Sequence, residues 1–66
     1  MWIRVHNPEG VKLYVNAAQI TFLQEHGNSR FKTTIWFSGA DNNYIKVQEH
    51  ITDVMRLIEE GERWRQ

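Results

Sequence analysis

The feature that most constrains the fold of this chain is a period-two alternation of apolar and polar residues that recurs between residues 2 and 47. Successive side chains of a strand point to opposite sides, so the alternation predicts strands that bury one face. Two alternating segments flank a turn at residues 7–10, and residues 2–15 are therefore predicted to form a β-hairpin. The side chains expected to face the core are Ile3, Val5, Val11, Leu13 and Val15. Those expected to face outward are Trp2, Arg4, His6, Lys12 and Tyr14.

Three further strands are predicted after a short interruption. Asn16 is a favourable N-cap, so a single helical turn is expected before the chain re-enters a sheet at Ile20. The strands cover residues 20–26, 31–38 and 44–47, separated by a turn at 26–29 and a loop at 39–43. The core face is expected to hold Phe31, Thr33, Ile35, Phe37, Ile45 and Val47. The opposite face is expected to hold Lys32, Thr34, Trp36, Ser38, Tyr44 and Lys46.

The spacing of the apolar residues becomes helical after residue 50. Ile51, Val54, Met55 and Ile58 follow one stripe of a 3.6-residue repeat, with His50 at the expected N-cap. Gly61 is expected to end the helix as the residue after the C-cap. The prediction is an α+β fold: a four- to five-stranded, mostly antiparallel sheet with one C-terminal amphipathic helix on one face. A single domain is expected over residues 1–61, followed by a C-terminal tail over residues 62–66.

The size of the chain favours association with a partner. A domain of 66 residues buries only about 60% of its unfolded surface, so a lone monomer is expected to be marginally stable. Small domains gain stability from disulfides, metals or oligomerisation, and this chain has no cysteine. No apolar run approaches the roughly 20 residues of a membrane span, and no secretory signal is recognisable at the N-terminus. We therefore expect a cytoplasmic protein that is stabilised by a partner, either another protein or a second copy of itself.

No residue pattern indicates an enzyme or a metal site. His6, His26 and His50 are spread over three elements, whereas zinc needs three or four converging ligands. Ser29 and Ser38 lack the flanking glycines of a nucleophile motif, and no glycine-rich phosphate loop is present. We expect no catalytic residue, no cofactor and no small-molecule substrate.

The outward sheet face combines aromatic and basic residues, and it is the candidate binding surface. Its members are Trp2, Arg4, Lys12, Tyr14, Lys32, Trp36, Tyr44 and Lys46. Such a face suits a protein interface, where Trp and Tyr are the commonest energetic anchors. It also suits single-stranded nucleic acid, because rings stack on bases and cations follow phosphates.

The distribution of charge favours the protein interface. Residues 1–48 carry five basic and three acidic residues, a net charge of +2, and the remainder carries −2. Nucleic-acid binding normally rests on a far more basic domain. The sequence thus predicts a non-enzymatic protein-interaction or assembly module that acts as a homo-oligomer. Binding of single-stranded nucleic acid or DNA, as in a small regulatory protein, is the alternative.

Two segments carry a resemblance to a known family. Val15-Asn16 followed by Ile20, and residues 44–49 leading into Val54 and Ile58, resemble the small bacterial flagellar FlbD-like (SwrD-like) proteins. The chain departs from that family in its loop at residues 39–43, in His50 at the cap and in its tail. The resemblance implies an accessory role in assembly or motility, in a bacterium or a phage, and supplies no catalytic residues. Residues 20–60 are also similar to the C-terminal half of LytTR-type DNA-binding domains.

Overall fold

The computed structural model describes residues 1–39 and 43–64, the side chains of residues 62–64 excepted. Its strands are β1 (Trp2–His6), β2 (Lys12–Asn16), β3 (Ile20–Glu25), β4 (Thr33–Phe37) and β5 (Tyr44–Val47). A 3-10 turn (Ala17–Gln19) precedes β3, and the helix α1 (Ile51–Trp64) follows β5. The α+β class is confirmed. The strands, however, form two antiparallel sheets, β1-β2 and β3-β4-β5, where the sequence predicted one.

The first turn is built around Asn7. Its side-chain oxygen accepts hydrogen bonds from the backbone N–H groups of Glu9 (3.0 Å) and Val11 (2.9 Å), and Gly10 has a φ of +86°. Val11 therefore lies at the end of the turn and outside β2, whose pairing with β1 begins at Lys12. The Val11 side chain is 54% exposed, so its prediction as a core residue is wrong.

The two sheets are joined at one end by the residues that follow β5. Gln48 N donates to the backbone oxygen of His6 at 2.8 Å, while His6 N donates to the carboxylate of Glu49 at 2.9 Å. The same carboxylate accepts from His6 Nδ1 at 2.6 Å. The Glu49 side chain therefore gives the His6 N–H group the acceptor that the backbone of a neighbouring strand would provide in a continuous sheet.

The core lies between the two sheets and the helix. Its buried apolar residues are Ile3, Val5, Ala17, Ile35, Val47 and Val54. Helix α1 packs against β1 and β3, so it spans both sheets. Apart from Val11, Phe31 and the helix residues Ile51 and Met55, the apolar positions predicted to face inward are buried or pack at the margin of this cluster. Met55 is 49% exposed.

A β-bulge at Thr21 determines which side chains of β3 face the core. Ile20 pairs with Phe37 and Phe22 pairs with Trp36, so one extra residue lies between these pairs. Ile20 and Leu23 consequently both pack against the core, whereas Phe22 faces outward. The adjacent Phe22 and Leu23 thus lie on opposite faces, as their neighbouring positions in a strand require.

The helix begins where it was predicted and continues further than predicted. The His50 carbonyl accepts from Asp53 N (2.9 Å) and Val54 N (3.0 Å), which makes His50 the N-cap residue. Gly61 does not end the helix: a Cβ there would overlap the Met1 side chain, and the glycine allows this close approach. The tail predicted over residues 62–66 is therefore wrong for 62–64, which are helical. Residues 65–66, and residues 40–42 of the predicted loop, lie outside the described residues.

Among the described residues, no helix combines the length and apolar character needed to cross a membrane.

Candidate binding surface

Three aromatic side chains form a row on the face of the three-stranded sheet that points away from the core. Phe22, Trp36 and Tyr44 are cross-strand partners in β3, β4 and β5. The Phe22 and Trp36 rings are stacked, with centroids 5.2 Å apart and planes at 16°. The Trp36 and Tyr44 centroids are 4.6 Å apart, with planes tilted by 37°. We call these three residues the ring row.

The ring row is held in place by its own contacts. Offset aromatic pairs of this kind contribute about 0.5–1.5 kcal/mol each beyond the area they bury. Trp36 Nε1 donates to Gln24 Oε1 at 3.3 Å, which fixes the orientation of the indole. Phe22 remains 54% exposed and Tyr44 is also exposed, while Trp36 between them is half-buried. The sheet thus presents a preorganised apolar surface to solvent.

A second group on the same face lies beside the ring row and is basic. Lys46 Nζ lies 4.8 Å from the centroid of the Phe31 ring, a cation–π contact. His26 packs edge-on against Phe31 at 5.1 Å and contacts Thr34 Oγ1 at 2.6 Å. Lys46 therefore faces outward as predicted, next to the rings.

The start of β4 differs from the prediction. Phe31 was expected in the core, but it precedes β4, where the alternation no longer holds, and its ring lies under Lys46. Thr34 lies on the outer face as predicted, but it is buried there, with its hydroxyl in contact with the imidazole of His26. Lys32, expected on the outer face, is half-buried. It lines a polar hollow with Arg30 and other residues.

The outer face of the hairpin carries the remaining predicted site residues. Trp2, Arg4, Lys12 and Tyr14 are all exposed there, with Arg4 directly opposite Tyr14. They belong to the other sheet, so the eight predicted residues do not form one continuous sheet surface. The structure groups Trp36, Tyr44 and Lys46 on one sheet and these four residues on the other.

An open groove of about 320 Å³ lies between the hairpin and the end of the three-stranded sheet. Trp2 and Tyr14 line it from the hairpin, and Phe37 and Asn43 line it from the three-stranded sheet. Gln19 and Ser38 close one part of it through a hydrogen bond between their side chains of 2.6 Å. No sequence pattern indicates this groove, because its walls come from segments far apart in the chain.

Phe22 is the ring-row member that the sequence analysis missed as a site residue. The mixed pattern of β3 contained the signal, since Phe22 and Leu23 are adjacent and have to face opposite sides. Choosing which of them faces the core required the bulge at Thr21, which the sequence analysis did not predict.

The charged groups divide between paired and outward-facing residues. Glu9 pairs with Arg30 at 3.4 Å, and Asp53 pairs with Arg56 at 3.2 Å. Within residues 1–39 and 43–61, Lys46 makes no ion pair, and its ammonium group is available to a partner beside the ring row. In the described part of the chain, no three metal-ligating side chains converge on one point. The groups exposed on this surface are aromatic rings, amides and an ammonium group.

Comparison with known proteins gave no match to a family model, to a curated protein or to a solved structure.

Proposed function

We propose that this protein is a small non-enzymatic interaction or assembly module that associates with further copies of itself through the ring row. The observation that carries the proposal is the contiguous arrangement of Phe22, Trp36 and Tyr44 on a solvent-facing sheet. Trp and Tyr are enriched among the residues that dominate binding energy at protein interfaces. Contiguous exposed apolar patches are a common mark of interaction sites.

The immediate surroundings of the ring row support a protein partner. Lys46 and Gln24, both exposed, lie at its margin, which matches an apolar centre with a polar rim. The chain has a formal net charge of zero, so copies do not repel one another strongly. Self-association would also add buried apolar area to a domain of only 66 residues.

The cellular role follows only from the resemblance. Similarity to FlbD-like proteins implies an accessory part in assembly or motility in a bacterial or phage context, and we propose a cytoplasmic location. A protein of this class works by occupying a position in a larger assembly, which is compatible with a surface built for contact.

The first test removes the central ring. Because Trp36 contacts both other rings, Trp36→Ala is expected to raise the dissociation constant of self-association about 30-fold, the equivalent of a 2 kcal/mol interface anchor. Sedimentation equilibrium over a range of protein concentrations measures this, and far-UV circular dichroism checks that the fold persists.

Trp2→Ala is the matched control for this test. Trp2 is an exposed tryptophan, 68% accessible, on the other sheet. Its replacement is expected to change the dissociation constant by less than the Trp36 variant does. Equal effects of the two substitutions, or no effect of Trp36→Ala on association, would contradict the assignment of the ring row as the contact surface.

The alternative function is binding of single-stranded nucleic acid on the same face. The observation that favours it is the ring row beside Lys46, because stacked bases contribute about 1–3 kcal/mol each on such aromatic side chains. Under this alternative, affinity for a labelled oligonucleotide falls steeply as salt rises from about 50 to 200 mM, and Lys46→Gln weakens binding. Absence of binding at the lower salt concentration excludes it.

A further inference from the structure

We propose that the self-association proposed above uses the free edge of β3, which pairs antiparallel with β3 of a second copy across a two-fold axis. The three-stranded sheets of two copies would then join into one six-stranded sheet. This inference rests on the proposed function and adds the geometry of the contact: an edge-to-edge pairing in which Phe22 lies at the margin and Trp36, stacked on it, supports its ring.

The edge of β3 offers unpaired backbone groups. In the described part of the chain, β3 is the terminal strand of its sheet, with β4 on one side only. His26 N donates to Lys32 O at 2.8 Å. Because the backbone groups of alternate residues point to opposite sides of a strand, the N–H and C=O groups of His26, Gln24 and Phe22 point toward β4. Leu23 and Glu25 occupy the alternate positions, and their N–H and C=O groups point to the open edge. A partner strand would satisfy them.

This edge has few of the features that discourage pairing. Edge strands are commonly protected by lysine, by proline or by a bulge. Strand β3 has no lysine and no proline, and its bulge at Thr21 lies at the start, which leaves residues 22–25 regular. The other terminal strands are β1, β2 and β5. Strands β2 and β5 carry Lys12 and Lys46, and the backbone of His6 in β1 already bonds Gln48 and Glu49. Strand β3 is therefore the better candidate for addition of a strand.

The sequence of β3 suits a second copy of itself. Glu25 is the only charged residue in the strand and stands at its C-terminal end. Antiparallel pairing centred on Leu23 places each Glu25 opposite Thr21 of the second copy, so the two carboxylates stay apart. The two Leu23 side chains meet on the core side, and Phe22 lies opposite Gln24 of the second copy. Centring the axis on Gln24 would instead place Glu25 opposite a leucine.

Pairing in this register extends the ring row across the interface. The row runs from Tyr44 through Trp36 to Phe22 and stops at the edge, where Phe22 is 54% exposed. In the dimer the next positions along it are Gln24, Thr34 and Lys46 of the second copy. Gln24 of the second copy would lie directly beside Phe22 and cover its outer side, while Thr34 and Lys46 of that copy continue the row on its next two strands.

The test blocks the edge without disturbing the monomer. Glu25 is exposed and its N–H points away from β4, so Glu25→Pro removes a donor that only a partner strand would use. We expect the wild-type protein to sediment as a dimer and Glu25→Pro to raise the dissociation constant at least 10-fold. Glu25→Ala, which keeps the N–H, is the matched control and is expected to dimerise like the wild type. Circular dichroism verifies that both variants are folded.

Cysteine cross-linking determines the register, since the chain contains no native cysteine. A mixture of Phe22→Cys and Gln24→Cys is expected to form a disulfide-linked heterodimer, because directly opposite positions meet the geometry of a disulfide. A mixture of Thr21→Cys and Glu25→Cys provides a second pair that leaves the ring row intact. Efficient linkage of Gln24→Cys with itself, and of neither mixture, would overturn the register centred on Leu23.

The outcomes separate this inference from the proposed function. If Trp36→Ala weakens association and Glu25→Pro does not, the ring row is the contact and edge pairing is rejected. If Glu25→Pro alone weakens association, edge pairing stands and the ring row is not the anchor. A wild-type protein that stays monomeric at millimolar concentration overturns both self-association and edge pairing.

Discussion

Replacement of Ile35 by alanine is expected to leave the protein largely unfolded. Ile35 is fully buried in the central strand β4, where it pairs with Leu23 on one side and Ile45 on the other. Truncation of a buried isoleucine to alanine costs about 2–5 kcal/mol, because apolar contacts are lost and a cavity remains. A domain of this length has a total stability of only about 3–10 kcal/mol. Urea denaturation followed by circular dichroism measures the change.

Val11→Ala is the control for this prediction. Val11 is also β-branched and lies in a segment whose alternation predicts burial, but its side chain is 54% exposed. Its replacement is expected to change the free energy of unfolding by no more than about 0.5 kcal/mol. A loss at Val11 comparable to that at Ile35 would mean that the hairpin packs in the register that the sequence alone predicts.

Replacement of Glu49 by alanine is expected to destabilise the protein by about 1.5–3 kcal/mol, the range for hydrogen bonds to a charged group. The Glu49 carboxylate binds both the backbone N–H and the imidazole Nδ1 of His6 across 43 residues of sequence. Its side chain is only 18% exposed, so solvent compensates poorly for the lost contacts. Thermal and urea denaturation measure the effect.

Glu9→Ala is the matched control for Glu49. Glu9 also forms an ion pair, with Arg30, but at 3.4 Å and with both side chains mostly exposed. Pairs of this kind contribute about 0–1 kcal/mol, so the control is expected to lose much less stability. Similar losses for the two glutamates would argue against Glu49 as the link between the sheets.

Local patterns predicted the elements of this fold well. The alternation of Ile3 and Val5 with polar neighbours, and the helical spacing of Ile51, Val54 and Ile58, correspond to the observed strands and helix. The caps at Asn16 and His50 are where the sequence placed them. These features depend on residues within a few positions of each other, which is the range over which a sequence pattern carries physical information.

Features that depend on distant contacts were not predictable. Glu49 binds His6 where the two sheets meet, and no local pattern distinguishes that glutamate from the others. Gly61 lies inside the helix against Met1, from the other end of the chain, which no local pattern indicates.

The candidate site was predicted in part, for a related reason. Alternation identified Trp36, Tyr44 and Lys46 as outward-facing, because all three lie inside regular strands. It failed at Phe31 and Lys32, which precede β4, where the backbone leaves the regular pleat. The alternation of residues therefore predicts which way a side chain points only within the regular, hydrogen-bonded part of a strand.

The arrangement of the strands also bears on how the chain reaches its native state. Each ladder joins strands that are consecutive in sequence: β1 with β2, β3 with β4, and β4 with β5. Each sheet can therefore form from neighbouring segments of the chain, and closing the short loops between its strands has a small entropic cost. Residues more than 40 positions apart come together only when the hairpin packs against the second sheet and the helix. The contact between His6 and Glu49, 43 positions apart, is expected to form in that long-range step and therefore after the local ladders.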